Sequence, residues 1–218
     1  YVYYKTNGSW AEHSKLYASD YAYSDRFGSQ VALSGDLAFI SAPYDDDHGE
    51  NSGSVYVFKR TNGVWIEQTK KSGNDTVAGD YFGVSIATSN NNVLIGASGD
   101  DDNDNNSGSV YSFEITNDTL IQQSKFQANG SNPDLQFGSR LAICDNLLLV
   151  GSPKQTSANK VYLFDNTSGA WTQQTILESS DTGENDYFGY SFDIQNGIAA
   201  VGAAYDDDKA DQAGSVYL

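Results

Sequence analysis

The sequence predicts an all-β protein assembled from about four copies of one four-stranded antiparallel unit. Three recurrent landmarks carry this expectation. Phe-Gly occurs at Phe27-Gly28, Phe82-Gly83, Phe137-Gly138 and Phe188-Gly189, at intervals of 55, 55 and 51 residues. A second landmark lies fourteen residues after each Phe: Ser41-Ala42-Pro43, Gly96-Ala97-Ser98, Gly151-Ser152-Pro153 and Gly202-Ala203-Ala204. The third is Gly53-Ser54-Val55-Tyr56, Gly108-Ser109-Val110-Tyr111, a reduced Asn159-Lys160-Val161-Tyr162, and Gly214-Ser215-Val216-Tyr217. Three landmarks in fixed order, four times over, mark a repeat architecture.

Within a unit the apolar pattern reads as four strands. The first starts just after Phe-Gly, as Gln30 to Leu33 or Val84 to Ala87. The second is a near-continuous apolar run: Leu37-Ala38-Phe39-Ile40, Val93-Leu94-Ile95, Leu147-Leu148-Leu149-Val150 and Ile198-Ala199-Ala200-Val201. Such a run suits a strand covered on both faces. The third is Val55-Tyr56-Val57-Phe58 and its counterparts. The fourth opens on a bulky residue and turns polar, as Trp10 to Leu16, Trp65 to Lys70, Leu120 to Phe126 and Trp171 to Leu177, which predicts a solvent-facing strand. Asn7-Gly8, Asn62-Gly63 and Ser168-Gly169 supply the positive φ of tight hairpin turns between strands three and four.

Units of this size, with polarity rising from inner to outer strand, are the signature of a β-propeller blade. The order Phe-Gly, Gly-Ala-Pro-like, Gly-Ser-Val-Tyr resembles the FG-GAP repeat of integrin α-subunit propellers. It is most similar to the version in secreted microbial proteins, with its Asp-Asp-Asp loop and Trp-Thr-Glu-Gln-like outer strand. The resemblance spans essentially residues 1–218, read as one region with units near 1–54, 55–109, 110–160 and 161–218. It implies an extracellular or cell-surface protein. Rings of that family usually have seven blades. Both ends of the chain fall inside strand three, so two arrangements stand: a four-bladed ring closed by the N-terminal strand, or a stretch of a longer array.

Composition narrows the function. Among 218 residues, 29 acids against 12 bases give a net charge of −17. Nucleic acid and anionic membranes need the opposite sign. No apolar run approaches the roughly 18 residues of a membrane span, so no membrane insertion is expected in this chain. Tyr1 at the start and the absence of Met imply a mature product or an excised piece. The lone Cys144 excludes an internal disulfide and reads as a packing residue.

The acids are organised. The loops between strands two and three carry Asp45, Asp46, Asp47 and Glu50, then Asp100, Asp101, Asp102 and Asp104, then Asp206, Asp207, Asp208 and Asp211. Loops between strand four and the next strand one add Asp20, Asp25, Asp75, Asp80, Asp134, Asp181, Glu184 and Asp186. In a propeller both loop sets share one rim. Adjacent carboxylates repel, and a hard divalent cation relieves this, calcium being the natural candidate. Three sets are expected to converge: Asp45, Asp47 and Asn51; Asp100, Asp102, Asp104 and Asn106; and Asp206, Asp208 and Asp211. A solvated acidic turn with no metal accounts for the same residues. Lys154 to Asn159 in the third unit is shorter and acid-free, so no ion is expected there. The cation loop of integrins lies between the Phe-Gly and Gly-Ala-Pro landmarks. Here that connection is a tight turn such as Ser34-Gly35-Asp36, so the family's ligands do not transfer.

Asn-x-Ser/Thr triplets at Asn7, Asn74, Asn117, Asn129 and Asn166 are candidate glycosylation sites. His13, His48 and Cys144 form no catalytic or zinc-binding pattern, so no enzyme is expected. Two functions remain. One is a structural or adhesion protein acting through protein partners or self-assembly in a filament or matrix. The other is a calcium-dependent glycan-binding module. Tyr21, Tyr23, Tyr44, Tyr81, Tyr187 and Tyr205, beside the acidic loops, suit either.

Overall fold

The computed structural model describes residues 1–130, 132–152, 160–180 and 186–218. It is all-β among these residues. A hairpin, β1 (Val2–Thr6) and β2 (Ser9–Ser14), precedes four sheets. The first sheet holds β3 (Val31–Ser34), β4 (Leu37–Ala42), β5 (Ser54–Thr61) and β6 (Val64–Lys71). The second holds β7 (Phe82–Ser89), β8 (Asn92–Ala97), β9 (Ser109–Thr116) and β10 (Thr119–Phe126). The third holds β11 (Arg140–Cys144), β12 (Leu147–Ser152), β13 (Lys160–Asp165) and β14 (Thr172–Leu177). The last is three-stranded: β15 (Phe188–Gln195), β16 (Ile198–Ala203) and β17 (Ser215–Tyr217). Each sheet is an antiparallel meander in chain order. The sheets are blade-like and do not close into a ring. The innermost strands share a hollow of about 200 Å³, lined by Gln30, Ser85, Arg140, Ser191 and their neighbours.

The apolar second strands are buried on both faces because they alternate between two cores. Along β4, Leu37 and Phe39 enter the core shared with the second sheet, while Ala38, Ile40 and Ala42 enter the core facing Leu16 and Ala18. Along β8, Val93 and Ile95 face back and Leu94 faces forward. β12 repeats this with Leu148 and Leu149. Each core therefore lies between consecutive sheets. Burial of one such side chain stabilises by about 1.5–3 kcal/mol.

The Phe-Gly landmark sits differently from its predicted place. In the second and fourth units it is the start of strand one, since β7 begins at Phe82 and β15 at Phe188. It is also where repeats dock. Amide N–H groups of Gly79, Tyr81 and Phe82 donate to the carbonyls of Glu50, Asn51 and Ser52, and Gln136 and Phe137 donate to Asn106 and Ser107. The Gly-Ser-Val-Tyr landmark of one unit thus meets the Phe-Gly of the next. A Cβ on Gly53 would lie 2.2 Å from the Phe82 carbonyl oxygen, and one on Gly108 equally close to that of Phe137. Glycine is required there by space as well as by its positive φ.

Strand four faces solvent only in part, and Leu120 corrects that expectation outright at 1% exposure. Where a sheet precedes it, the leading residue of strand four plugs against that sheet, whereas Trp10, with none before it, is 69% exposed. Leu120 joins the core of Leu37 and Phe39, while the Trp171 indole N–H donates to Ser112 Oγ at 3.1 Å. Trp65 likewise donates to the Tyr4 hydroxyl at 2.9 Å. The Asn7-Gly8 and Asn62-Gly63 turns adopt the two successive positive φ values expected of them, and Asn117-Asp118 does the same.

Candidate functional site

Every outer strand pair carries one irregularity at the same repeat position. Val57 pairs with Thr69 and Phe58 with Glu67, so Gln68 is bulged. Gln123 and Gln174 are bulged equivalently. Each bulged Gln donates its side-chain N–H to the carbonyl two residues back, at Ile66, Ile121 and Thr172. A bulge shifts the alternation of side chains between faces. Residues directly opposite share a face, and after the bulge Tyr56 stands opposite Lys70 and Tyr111 opposite Lys125. Because the extra residue is bulged out of the ladder, each lysine stands on the face of its tyrosine.

There the lysine meets the acidic loops. Lys70 Nζ lies 2.8 Å from Asp20, 2.6 Å from Asp45 and 2.7 Å from Asp47. The Tyr56 hydroxyl is 2.8 Å from Asp20 Oδ1 and 3.1 Å from Asp45 Oδ2. Ser54 Oγ donates to the other oxygen of Asp45 at 3.0 Å. The second unit repeats the arrangement. Lys125 Nζ lies 3.0 Å from Asp75, 2.6 Å from Asp100 and 2.5 Å from Asp102, with Tyr111 reaching Asp75 and Asp100. Each ammonium also lies over its tyrosine ring, at 5.3 and 5.1 Å.

Burial opposes the charged ammonium of Lys70, but hydrogen bonds to Asp20, Asp45 and Asp47 outweigh it and raise the pKa above the ordinary lysine value. Lys125 behaves alike through Asp100, Asp102 and Asp75. Burial would raise Asp20 and Asp75, yet the hydrogen bonds from lysine and tyrosine hold both carboxyls below their usual value. Asp80 goes the other way. Burial, aided by the nearby Asp100 and Asp101 charges, pushes it up to about 6, against the Val77 amide that donates to it.

The structure brings together only part of each predicted ligand set. Asp45 with Asp47, and Asp100 with Asp102, do converge, joined by Asp20 and Asp75 from the other loop. The Asn51 backbone is committed elsewhere: its N–H donates to Asp46 Oδ1 and its carbonyl accepts from the Tyr81 amide. Asn106 donates to Asp134, and Asp104 accepts from the amides of Asn105 and Ser107. The alternation in that loop therefore does not aim its oxygens at one centre. In the fourth unit Asp206 accepts from Ser215 Oγ at 2.8 Å and Tyr217 at 3.2 Å, and the Asp208 amide donates back to Asp206. Asp211 is exposed. Asp181, Glu184 and the loop 153–159 lie outside the described residues.

Lysine is the participant that sequence reasoning missed. Its signal was present: Lys15, Lys70 and Lys125 recur at the repeat spacing, and Ile176 replaces them in the unit whose loop lacks acids. Ile176 instead packs with Tyr162 and Phe164.

The central Asp of each triplet points outward: Asp46, Asp101 and Asp207 are exposed. On the same rim Tyr21 and Tyr23 are exposed, Tyr23 at 97%. Tyr44, Tyr81 and Tyr187 are half-buried in ring contacts, Tyr44 with Tyr81 and Tyr187 with Tyr205. The sequon residues Asn7, Asn74, Asn117 and Asn129 are exposed, whereas Asn166 is half-buried with its side-chain oxygen enclosed.

Four blade-like meanders joined at Phe-Gly and Gly-Ser-Val-Tyr, with an acidic rim, define a propeller-type repeat protein. The FG-GAP repeat matches residues 10–58, 65–113 and 171–218, and the chain belongs to that family. Comparison with curated proteins returns no match. FG-GAP repeats point to an integrin-like adhesion or protein-interaction module, are typical of extracellular or cell-surface proteins, and are generally non-enzymatic. No helix among the described residues is long and apolar enough to cross a membrane.

These repeats often bind calcium, and Asp20, Asp45 and Asp47 offer carboxylate oxygens within 4.8 Å of one another, a set that can hold a metal ion. Calcium takes about 6–8 oxygens at 2.3–2.6 Å. Here the position such an ion would take is held by Lys70 Nζ. With the lysine in place the donor set does not fit a divalent cation.

Proposed function

We propose that the chain is an extracellular adhesion or matrix module whose acidic rim binds the cationic surface of a protein partner. The observation that carries this reading is the division of each Asp triplet. The first and third carboxylates of the first two triplets turn in to a lysine, while Asp46, Asp101 and Asp207 remain exposed on a rim that also exposes Tyr21 and Tyr23. Carboxylates with aromatic faces suit arginine and lysine side chains, which pair with the acids and stack on the rings. A net charge of −17 steers such a partner inward and makes acidic rims repel one another. Rim-to-rim self-assembly is therefore disfavoured, and the complementary surface belongs to a different molecule or a different face.

The test is binding of the chain to an arginine-rich peptide immobilised on a biosensor, across a salt series. Binding that weakens with salt and drops at least tenfold in Asp46→Asn/Asp101→Asn/Asp207→Asn supports the reading. Binding unaffected by both salt and these substitutions contradicts it. Retention on a glycan array that chelator abolishes would favour a calcium-dependent glycan-binding module instead.

A further inference from the structure

The two carboxylate centres make a demand on charge that the chain meets by itself. A lysine ammonium has three N–H donors and no acceptor. Each of the two ammonium groups has three carboxylates within 3.0 Å, one per donor. We propose that Lys70 and Lys125 are the resident cations of these centres, built-in replacements for a divalent ion, and that neither centre takes up calcium while its lysine is in place.

The repeats supply an internal control. The positions of Asp20, Asp45, Asp47 and Lys70 recur as Asp75, Asp100, Asp102 and Lys125. In the third unit the first becomes Gly130, the loop Lys154 to Asn159 holds no acid, and the lysine becomes Ile176. The carboxylates and the ammonium are lost together. Had the acids served a metal, their loss would not require removal of a lysine on another strand. Had the lysine been a surface residue, nothing would tie it to the acids. An ion network exchanged whole for an apolar contact is the outcome expected when its members depend on one another.

Each centre joins the segment entering the blade, the β4–β5 or β8–β9 loop, and the outermost strand. The lysine is turned inward by a bulge whose residue, Gln68 or Gln123, satisfies its own side-chain N–H. The rim is consequently closed by a covalently tethered cation that dilution or chelation cannot remove. It follows that the site is a latent one. Without the ammonium, three carboxylates and a tyrosine hydroxyl face a common point, which is the beginning of a hard-cation site. The clamp is independent of which partner the rim meets.

The test is native mass spectrometry of the whole chain in millimolar calcium, comparing wild type, Asp47→Ala/Asp102→Ala and Lys70→Met/Lys125→Met. Asp47 and Asp102 are more than half exposed, so their replacement leaves the cores intact. The expected result is the same ion count for wild type and the alanine variant, and up to two additional ions in the methionine variant. Ions carried by wild type but lost in the alanine variant would overturn the proposal. So would a folded methionine variant that gains none. If the methionine variant does not fold, the comparison of wild type with the alanine variant still decides whether the native centres hold metal.

Discussion

Lys125 places its ammonium 2.6 Å from Oδ2 of Asp100, whose side chain keeps 2% of its surface exposed. The pair Lys70 and Asp45 repeats the relationship at the same distance and a similar depth. A carboxylate this deep is tolerated because the ammonium, a tyrosine hydroxyl and neighbouring amides surround it. Removing the ammonium leaves a buried charge without its counter-ion, which costs about 3–5 kcal/mol. Lys125→Met is thus expected to lower unfolding free energy by about 3 kcal/mol. Adding Asp100→Asn should restore part of it. Guanidinium titrations of the single and double variants measure both.

The acid and alkaline limits follow from the same groups. Asp20 and Asp75 titrate below their ordinary value in the folded state, so their contribution is present above the unfolded pKa of 3.8 and is lost as pH falls through the folded values. Lys70 and Lys125 titrate above theirs, so their contribution is complete below 10.5 and is lost as pH rises beyond it. Melting temperature should therefore fall below pH 4 and again in strong alkali. A single acid-side transition that Asp20→Asn/Asp75→Asn leaves unmoved would contradict this.

Asp80 has the opposite sign. With a folded pKa of about 6 against 3.8 unfolded, its contribution favours the fold below 3.8 and fades as pH rises through 6. Asp80→Asn keeps an acceptor for the Val77 amide and removes the charge. It should stabilise by about 3 kcal/mol at pH 8, where the whole shift is felt, and by little at pH 4, as read from melting curves at the two values.

The docking glycines separate conformational strain from space. Gly63 has φ +82 with nothing near a Cβ, whereas Gly108 has φ +79 with the Phe137 carbonyl in the way. Gly63→Ala should cost about 1 kcal/mol, the left-handed penalty alone. Gly108→Ala should cost about 3 kcal/mol or more, since backbone of the next repeat must move. Equal losses in chemical denaturation would mean that the junction is not close-packed.

Much of the fold was legible because its signals are periodic. Phe27, Phe82, Phe137 and Phe188 set the repeat, and the run Leu147 to Val150 announced a strand covered twice. The burial of Leu120 is not legible in strand polarity, which averages over a residue whose role is set by the preceding sheet. The centres were half legible. The loop sequence shows Asp45 and Asp47 close together in the chain, but its alternation does not reveal that the Asn51 carbonyl bonds the next repeat. Lys70 was hidden for a stronger reason. Counted from Trp65 by simple alternation, it falls on the wrong face, and only the bulge at Gln68 returns it to Tyr56.

The account is tested most directly by calcium anomalous diffraction from crystals of the wild-type chain grown in millimolar calcium. It predicts lysine ammonium density among Asp20, Asp45 and Asp47, and among Asp75, Asp100 and Asp102, with no anomalous peak at either point. A calcium peak at either centre with its lysine displaced into solvent would contradict it.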